Sequence, residues 1–123
     1  MKWNFSNDRA IYSQIIDQLS LAIVSGALAP GERLLSVREL AAEAGVNPNT
    51  MQKALSEMEQ TGLVHSSRTA GRFVTESRDD IMKAKAEIAR ERTEDFIHHM
   101  NALGFSEKEV FEIIKEIGSE YFE

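Results

Sequence analysis

The stretch SVRELAAEAGVNPNTMQKALSEMEQTGLV, residues 36–64, leaves its backbone little choice. Ser36 with Glu39 three residues on makes a capping box, and Gly45 suits the left-handed position after a last turn, so a short helix is predicted over 37–44. Asn47 can cap a second helix, because its side-chain oxygen can accept from a free backbone N–H. Pro48 then occupies the first helical position, where a missing N–H costs nothing. Met51, Leu55 and Met58 recur on the inward face with Ala54 beside them, and Gly62 ends the helix. Only Gly45 and Val46 separate the two helices, so a short helix, a tight glycine turn and a longer helix follow one another as a helix-turn-helix.

The flanks complete the unit. Ile11, Ile15, Ile16, Leu19, Ile23 and Val24 predict a helix over roughly 10–25, with Gly26 as a stop. Pro30-Gly31 marks a turn, and Arg33-Leu34-Leu35 can form a very short strand. After the second helix, Leu63, Val64, Phe73 and Val74 are strand formers around a glycine-containing turn, which predicts a β-hairpin with Arg68 and Arg72 near its tip. Helix-turn-helix plus hairpin is a winged helix. From residue 77 the pattern is all helical. Ser77 or Asp79 can cap a long helix reaching about Leu103, Gly104 closes it, and a second capping box, Ser106 with Glu109, opens a final helix. The expected fold is therefore mainly α with a small β-hairpin: a winged helix-turn-helix domain over 1–76, then an α-helical hairpin over 77–123. Two helices cannot bury their own apolar residues, so Ile81, Ile88, Phe96, Met100, Leu103, Phe105, Phe111, Ile114, Ile117 and Tyr121 are expected to face a second copy of the chain in a homodimer.

Composition narrows the chemistry. With no cysteine, disulfides, thiolate metal sites and cysteine nucleophiles are excluded. No apolar run approaches the ~20 residues of a membrane helix, and MKWNFSNDR has no apolar signal core, so a cytoplasmic protein without membrane partners is expected. His98 and His99 are adjacent on a helix and point about 100° apart, so they cannot chelate one ion together, and His65 is alone on a strand. The methionines read as core filler, and Trp3 and Phe5 as a cover for the end of the first helix. No Gly-rich phosphate loop, paired apolar carboxylates or serine–base motif occurs, so no catalytic residue, cofactor or metal is expected. The net charge of −6 argues against a nonspecific nucleic-acid coat, yet residues 1–76 hold seven basic against eight acidic side chains, leaving −5 to the rest. A nearly neutral N-terminal part can still present one basic face.

The polar start of the 48–61 helix is where that face acquires a use. Asn49, Gln52, Lys53 and Ser56 share the side opposite Met51, Leu55 and Met58. Asn and Gln can bond adenine at N6 and N7 together, worth ~1–3 kcal/mol of discrimination. Asn47 and Thr50 are short enough to reach a phosphate or a thymine methyl, and free N–H groups at the helix start suit a phosphate. Arg38 is placed for the DNA backbone, while Arg68 and Arg72 on the hairpin can grip phosphates or enter a minor groove. The bland account is that Asn47 and Pro48 merely cap a helix and the rest is solvated surface. The tight turn and the basic hairpin count against it.

Residues 12–74 resemble, almost without a break, the winged-helix domain of GntR-type bacterial transcription regulators, through LAPGERL, SVRELA, VNPNT and ALSEMEQTGLV. The resemblance implies double-stranded operator DNA as partner and carries DNA contact to Arg38, to Asn47, Pro48, Asn49, Thr50 and Gln52, and to the wing from Arg68 through Thr69 to Gly71. Many members have an arginine where this chain has Pro48 and a basic residue where it has Gln52. Their usual wing is Arg-Gly-x-Gly-Thr, against Arg68-Thr69-Ala70-Gly71-Arg72 here, and Arg72 is expected to restore positive charge to the turn. The NPNT start and a tail of two helices resemble the YtrA subfamily, which implies a dimerising tail and, often, control of transporter operons. A repressor on a palindromic operator, released by a small-molecule effector lying against the tail's aromatics, is the expectation. A winged helix that docks protein instead of DNA is the rival, and it would bind no duplex even at low salt.

Overall fold

Ser36 and Glu39 close their capping box: the Glu39 N–H donates to Ser36 Oγ at 3.2 Å and the Ser36 N–H to Glu39 Oε1 at 3.1 Å. In this computed structural model, which describes residues 1–122, the box opens α2 (Val37–Ala44). Around it stand α1 (Ile11–Val24), α3 (Pro48–Thr61), β1 (Val64–Ser67), β2 (Gly71–Val74), α4 (Arg78–Ala102) and α5 (Glu107–Tyr121). Gly45 takes φ 72°, which a side chain would resist, and lets the chain leave α2 and re-enter α3 two residues later. Asn47 Oδ1 accepts from the Asn49 N–H at 2.7 Å, so the expected cap is formed.

The hairpin pairs β1 and β2 antiparallel, with Val64 opposite Val74, His65 opposite Phe73, Ser66 opposite Arg72 and Ser67 opposite Gly71. The strand expected at 33–35 shrinks to one bridge, Arg33 to Phe73. The Leu34 N–H donates to Arg72 O and the Val74 N–H to Glu32 O, each at 2.9 Å, so the segment does line the hairpin's edge. It stops there because Ser36 is already committed to capping α2.

Ile15, Leu19 and Ile23 of α1 meet Leu40 and Ala41 of α2, Met51, Leu55 and Met58 of α3, and Leu63, Val64 and Val74 of the hairpin in one core. The segment before α1 is held by two glutamines. Buried Gln14 accepts from the Ser6 N–H at 2.8 Å and donates to the carbonyls of Ser6 and Arg9, while Gln18 engages both backbone groups of Asn4. Trp3 and Phe5, stacked with centroids 5.9 Å apart, are half-buried against the core.

The chain divides into two compact units, Met1–Ala86 and Glu87–Glu123. The first turns of α4 belong to the first unit: Ile81, expected at a dimer interface, and Ala84 pack half-buried on the winged-helix core. In the second unit the remaining turns of α4 and the capping box of Ser106 and Glu109 on α5 form as expected, yet neither helix contains a buried residue.

Candidate nucleic-acid interface

The first turn of α3 offers an unusual set of groups to the outside. Pro48 brings no donor, the Asn49 N–H is taken by Asn47, and the first intrahelical bond runs from Met51 to Asn47 O at 3.1 Å. Among the described residues that leaves the Thr50 N–H without a protein acceptor at the positive end of the helix. Thr50 itself is half-buried, while Asn47, Pro48, Asn49, Gln52 and Lys53 are exposed. Gln52 Nε2 donates to Ser56 Oγ at 3.0 Å, which fixes the amide along the helix and leaves its carbonyl oxygen and second hydrogen for an outside group. Lys53 Nζ sits 3.7 Å above the centre of the Tyr12 ring, so its ammonium is steered by α1. The expected polar face therefore exists, with Lys53 anchored at its rim.

Arg38 is exposed in the first turn of α2, and Arg68 is exposed at the hairpin tip beside Thr69. Neither joins an ion pair among the described residues. Arg72 behaves differently from expectation. The register turns it toward α3, where its Nε lies 2.8 Å from Glu59 Oε1, with side chains 19% and 29% exposed. Ser66 Oγ donates to the same oxygen. The Ser66 hydroxyl, and then the Arg72 guanidinium, hold the Glu59 carboxyl below the ordinary carboxylate range. Arg72 is thus a tie between the wing and the helix, and its charge is already matched.

Gly71 is occupied as well. A β-carbon there would lie 3.3 Å from Nε and 3.6 Å from Nη2 of Arg33, whose guanidinium covers the glycine. Gly71 also has φ 98°, so the position favours glycine twice over. Arg33, Glu59 and Tyr12 were not among the residues singled out from the sequence. Their roles depend on the hairpin register and on the crossing of α1 with α3, which no spacing along the chain announces.

The second unit carries a groove of about 450 Å³ between α4 and α5, lined by Phe96, Ile97, Val110, Phe111 and Ile114 with Thr93, Asn101 and Glu107 at its polar margin. Leu103, Phe111, Ile117 and Tyr121 are 70%, 56%, 50% and 76% exposed, Phe96, Phe105 and Ile114 are less so, and Ile88 and Met100 are half-buried. Among the described residues no group of three or more acidic, histidine or cysteine side chains could hold a metal, and no helix is long and apolar enough to cross a membrane.

Comparison with known proteins agrees with this geometry. The family described as bacterial regulatory proteins, gntR family, matches residues 11–74. The chain is 40% identical to the uncharacterized HTH-type transcriptional regulator YhcF of Bacillus subtilis (strain 168), over 90% of this chain and 92% of that protein. It is 33% identical to the HTH-type transcriptional repressor YtrA of the same organism, over 89% and 85%. A GntR family transcriptional regulator from Listeria monocytogenes matches with a TM-score of 0.84 at 37% identity, over 91% of this chain and 98% of that one. The DNA-binding domain of AraR in complex with operator ORX1 matches with a TM-score of 0.53 at 25% identity, over 61% and 96%. The family match over more than half of the chain, with relatives of 40% and 33% identity along nearly all of it, makes the conclusion plain: the chain belongs to the GntR family of bacterial transcription regulators, a family of non-enzymatic DNA-binding proteins, in the YtrA-like branch.

Proposed function

We propose that this regulator is a repressor that binds a palindromic operator as a homodimer. Asn49 and Gln52 read base edges in the major groove, the Thr50 N–H and Lys53 take phosphates, and Arg38 and Arg68 grip the backbone on either side. The observation that carries the reading is the first turn of α3, which exposes amide side chains and a free N–H beside an unpaired arginine on each neighbouring element. The AraR DNA-binding domain, similar in fold over 61% of this chain, is found in complex with operator ORX1, which supports the reading. Dimerisation is supported by the large apolar residues that α4 and α5 leave exposed, Phe96, Leu103, Phe111, Ile117 and Tyr121 among them. Two recognition helices related by a two-fold axis address half-sites about 34 Å, one DNA turn, or a multiple apart. A small apolar or aromatic effector in the α4–α5 groove would release DNA by favouring a dimer with a different half-site spacing. Transporter genes are the expected targets, as the YtrA resemblance implies.

Selection from a random duplex pool tests the reading. An enriched inverted repeat, bound less tightly as salt rises, is the expected result. Failure to enrich any duplex at low salt would overturn it and favour a protein-docking role for the winged helix.

A further inference from the structure

Of the cations around the wing, the sequence points to Arg68 and Arg72, but the structure gives their neighbourhood a different second charge. Arg72 is paired with Glu59 and half-buried. Arg33, on the segment that bridges to Phe73, is exposed, lies across Gly71 and joins no ion pair among the described residues. The acid that lies near it, Glu39, gives an oxygen to the Ser36 N–H in the α2 capping box.

We infer that Arg33, seated on Gly71, is the wing's second phosphate contact, taking the part the sequence suggests for Arg72; this rests on the reading that α3 and the wing face duplex DNA. The chemistry fits a phosphate better than a base. Arg33 leaves the chain at the bridge that ends the edge segment, three residues before the cap of α2, and so stands between the wing and the helix that carries Arg38. Both neighbours are assigned to the DNA backbone in the proposed function, and among the described residues a guanidinium lying against a glycine and joined to no acid keeps its fork of donors for phosphate oxygens. Gly71 then serves DNA binding indirectly. Its missing side chain makes the seat for Arg33, since a β-carbon there would lie 3.3 Å from Nε and make the guanidinium shift by a few tenths of an ångström.

The test is equilibrium binding of the selected operator by the full chain, followed against salt, for wild type, Arg38→Ala, Arg33→Ala and Arg33→Lys. Removing one phosphate contact should lower the slope of log K against log salt by about 0.9 and weaken binding about eight-fold at 0.1 M salt. Arg33→Ala should show that loss equally on operators changed at single base pairs, while its thermal midpoint stays at the wild-type value. Arg33→Lys should keep the slope. An Arg33→Ala protein with undiminished slope and affinity, tested beside an Arg38→Ala protein that loses both, would overturn the assignment and leave the operator reading intact. A wild-type protein that binds no duplex would instead overturn the reading beneath it. If Arg33→Ala lowered the thermal midpoint and Arg33→Lys restored the midpoint without the slope, the residue would be a structural prop and the inference would fall.

Discussion

Replacing Glu59 with glutamine should loosen the wing in a way that titrates. In the folded protein one carboxylate oxygen accepts from both Arg72 Nε and Ser66 Oγ, so α3 and both hairpin strands meet at a single atom. A hydrogen bond to a charged group contributes ~1.5–3 kcal/mol. The lower end applies here, since the pair is about a quarter exposed and the two bonds share an oxygen. Glutamine keeps the volume and one neutral bond, so Glu59→Gln should cost about 1.5 kcal/mol at pH 7. For a unit the size of Met1–Ala86 that lowers the thermal midpoint by roughly 6–12 °C. The pH dependence fixes the cause. Ser66 and Arg72 depress the folded-state pKa of Glu59, so the unfolded chain binds its proton first as pH falls. The stabilisation is complete above the unfolded value of about 4.3 and disappears as pH drops through the folded value. Glu39, Glu43 and Glu109 are depressed too, by their own hydrogen bonds, but they are common to both proteins and cancel in the difference. Melting followed by circular dichroism at one protein concentration, from pH 7 down to 3, should show a constant gap that begins to shrink only as pH falls below the unfolded value of about 4.3. A gap that ignored pH, or none at pH 7, would refute the ion-pair account of the wing.

Three further outcomes are expected. Leu55→Ala removes a side chain 1% exposed at the centre of the core and should lower unfolding free energy by ~2–5 kcal/mol, read from the denaturant midpoint. Phe111→Asp puts a charge on the exposed apolar face of α5; if that face joins two copies as proposed, the wild type should sediment as a dimer and the variant as a monomer with weakened operator binding, whereas a variant that stayed dimeric would move the interface elsewhere. Asn49→Ala should relax preference at one base pair by ~1–3 kcal/mol with no change in salt slope, whereas a uniform loss across all operator variants would make Asn49 a backbone contact.

What the sequence made legible was whatever is encoded locally. The two capping boxes, the Asn47 cap with Pro48 behind it, and Gly45 and Gly62 at helix ends each depend on residues within one turn, and each formed where the spacing put it. Periodicity likewise sorted Met51, Ala54, Leu55 and Met58 inward. The edge strand is shorter than its strand formers suggest, because their propensity says nothing about the helix cap one residue beyond Leu35. The Arg72–Glu59 pair escapes the sequence for a related reason. The distance of Arg72 from the turn suggests a tip residue, but the pairing of Ser66 with Arg72 decides that both face Glu59. Ile81 belongs with it: the hydrophobic pattern of α4 is continuous, and only contact with the core separates the residue that packs on the winged helix from those left open.

The acidity of the chain looks like an obstacle to DNA binding until the acids are followed one by one. Met1–Ala86 holds ten basic and ten acidic residues, so the whole net charge of −6 falls in the second unit. Within the first unit several acids are engaged in work that has nothing to do with a ligand. Asp17 pairs with Arg9, Glu59 with Arg72, Glu39 closes the α2 cap, and Glu43 accepts from the Trp3 indole at 2.9 Å and lies 3.4 Å from the terminal ammonium. Among the described residues Arg33, Arg38 and Arg68, on the edge segment, α2 and the hairpin tip, join no ion pair, and Lys53 is held over Tyr12. At ~0.15 M ionic strength the screening length is about 8 Å, so a phosphate responds to the charges within about that range and not to the net charge of the chain. Local pairing, not net charge, decides which surface a phosphate meets, and it is why an acidic regulator can present a cationic one.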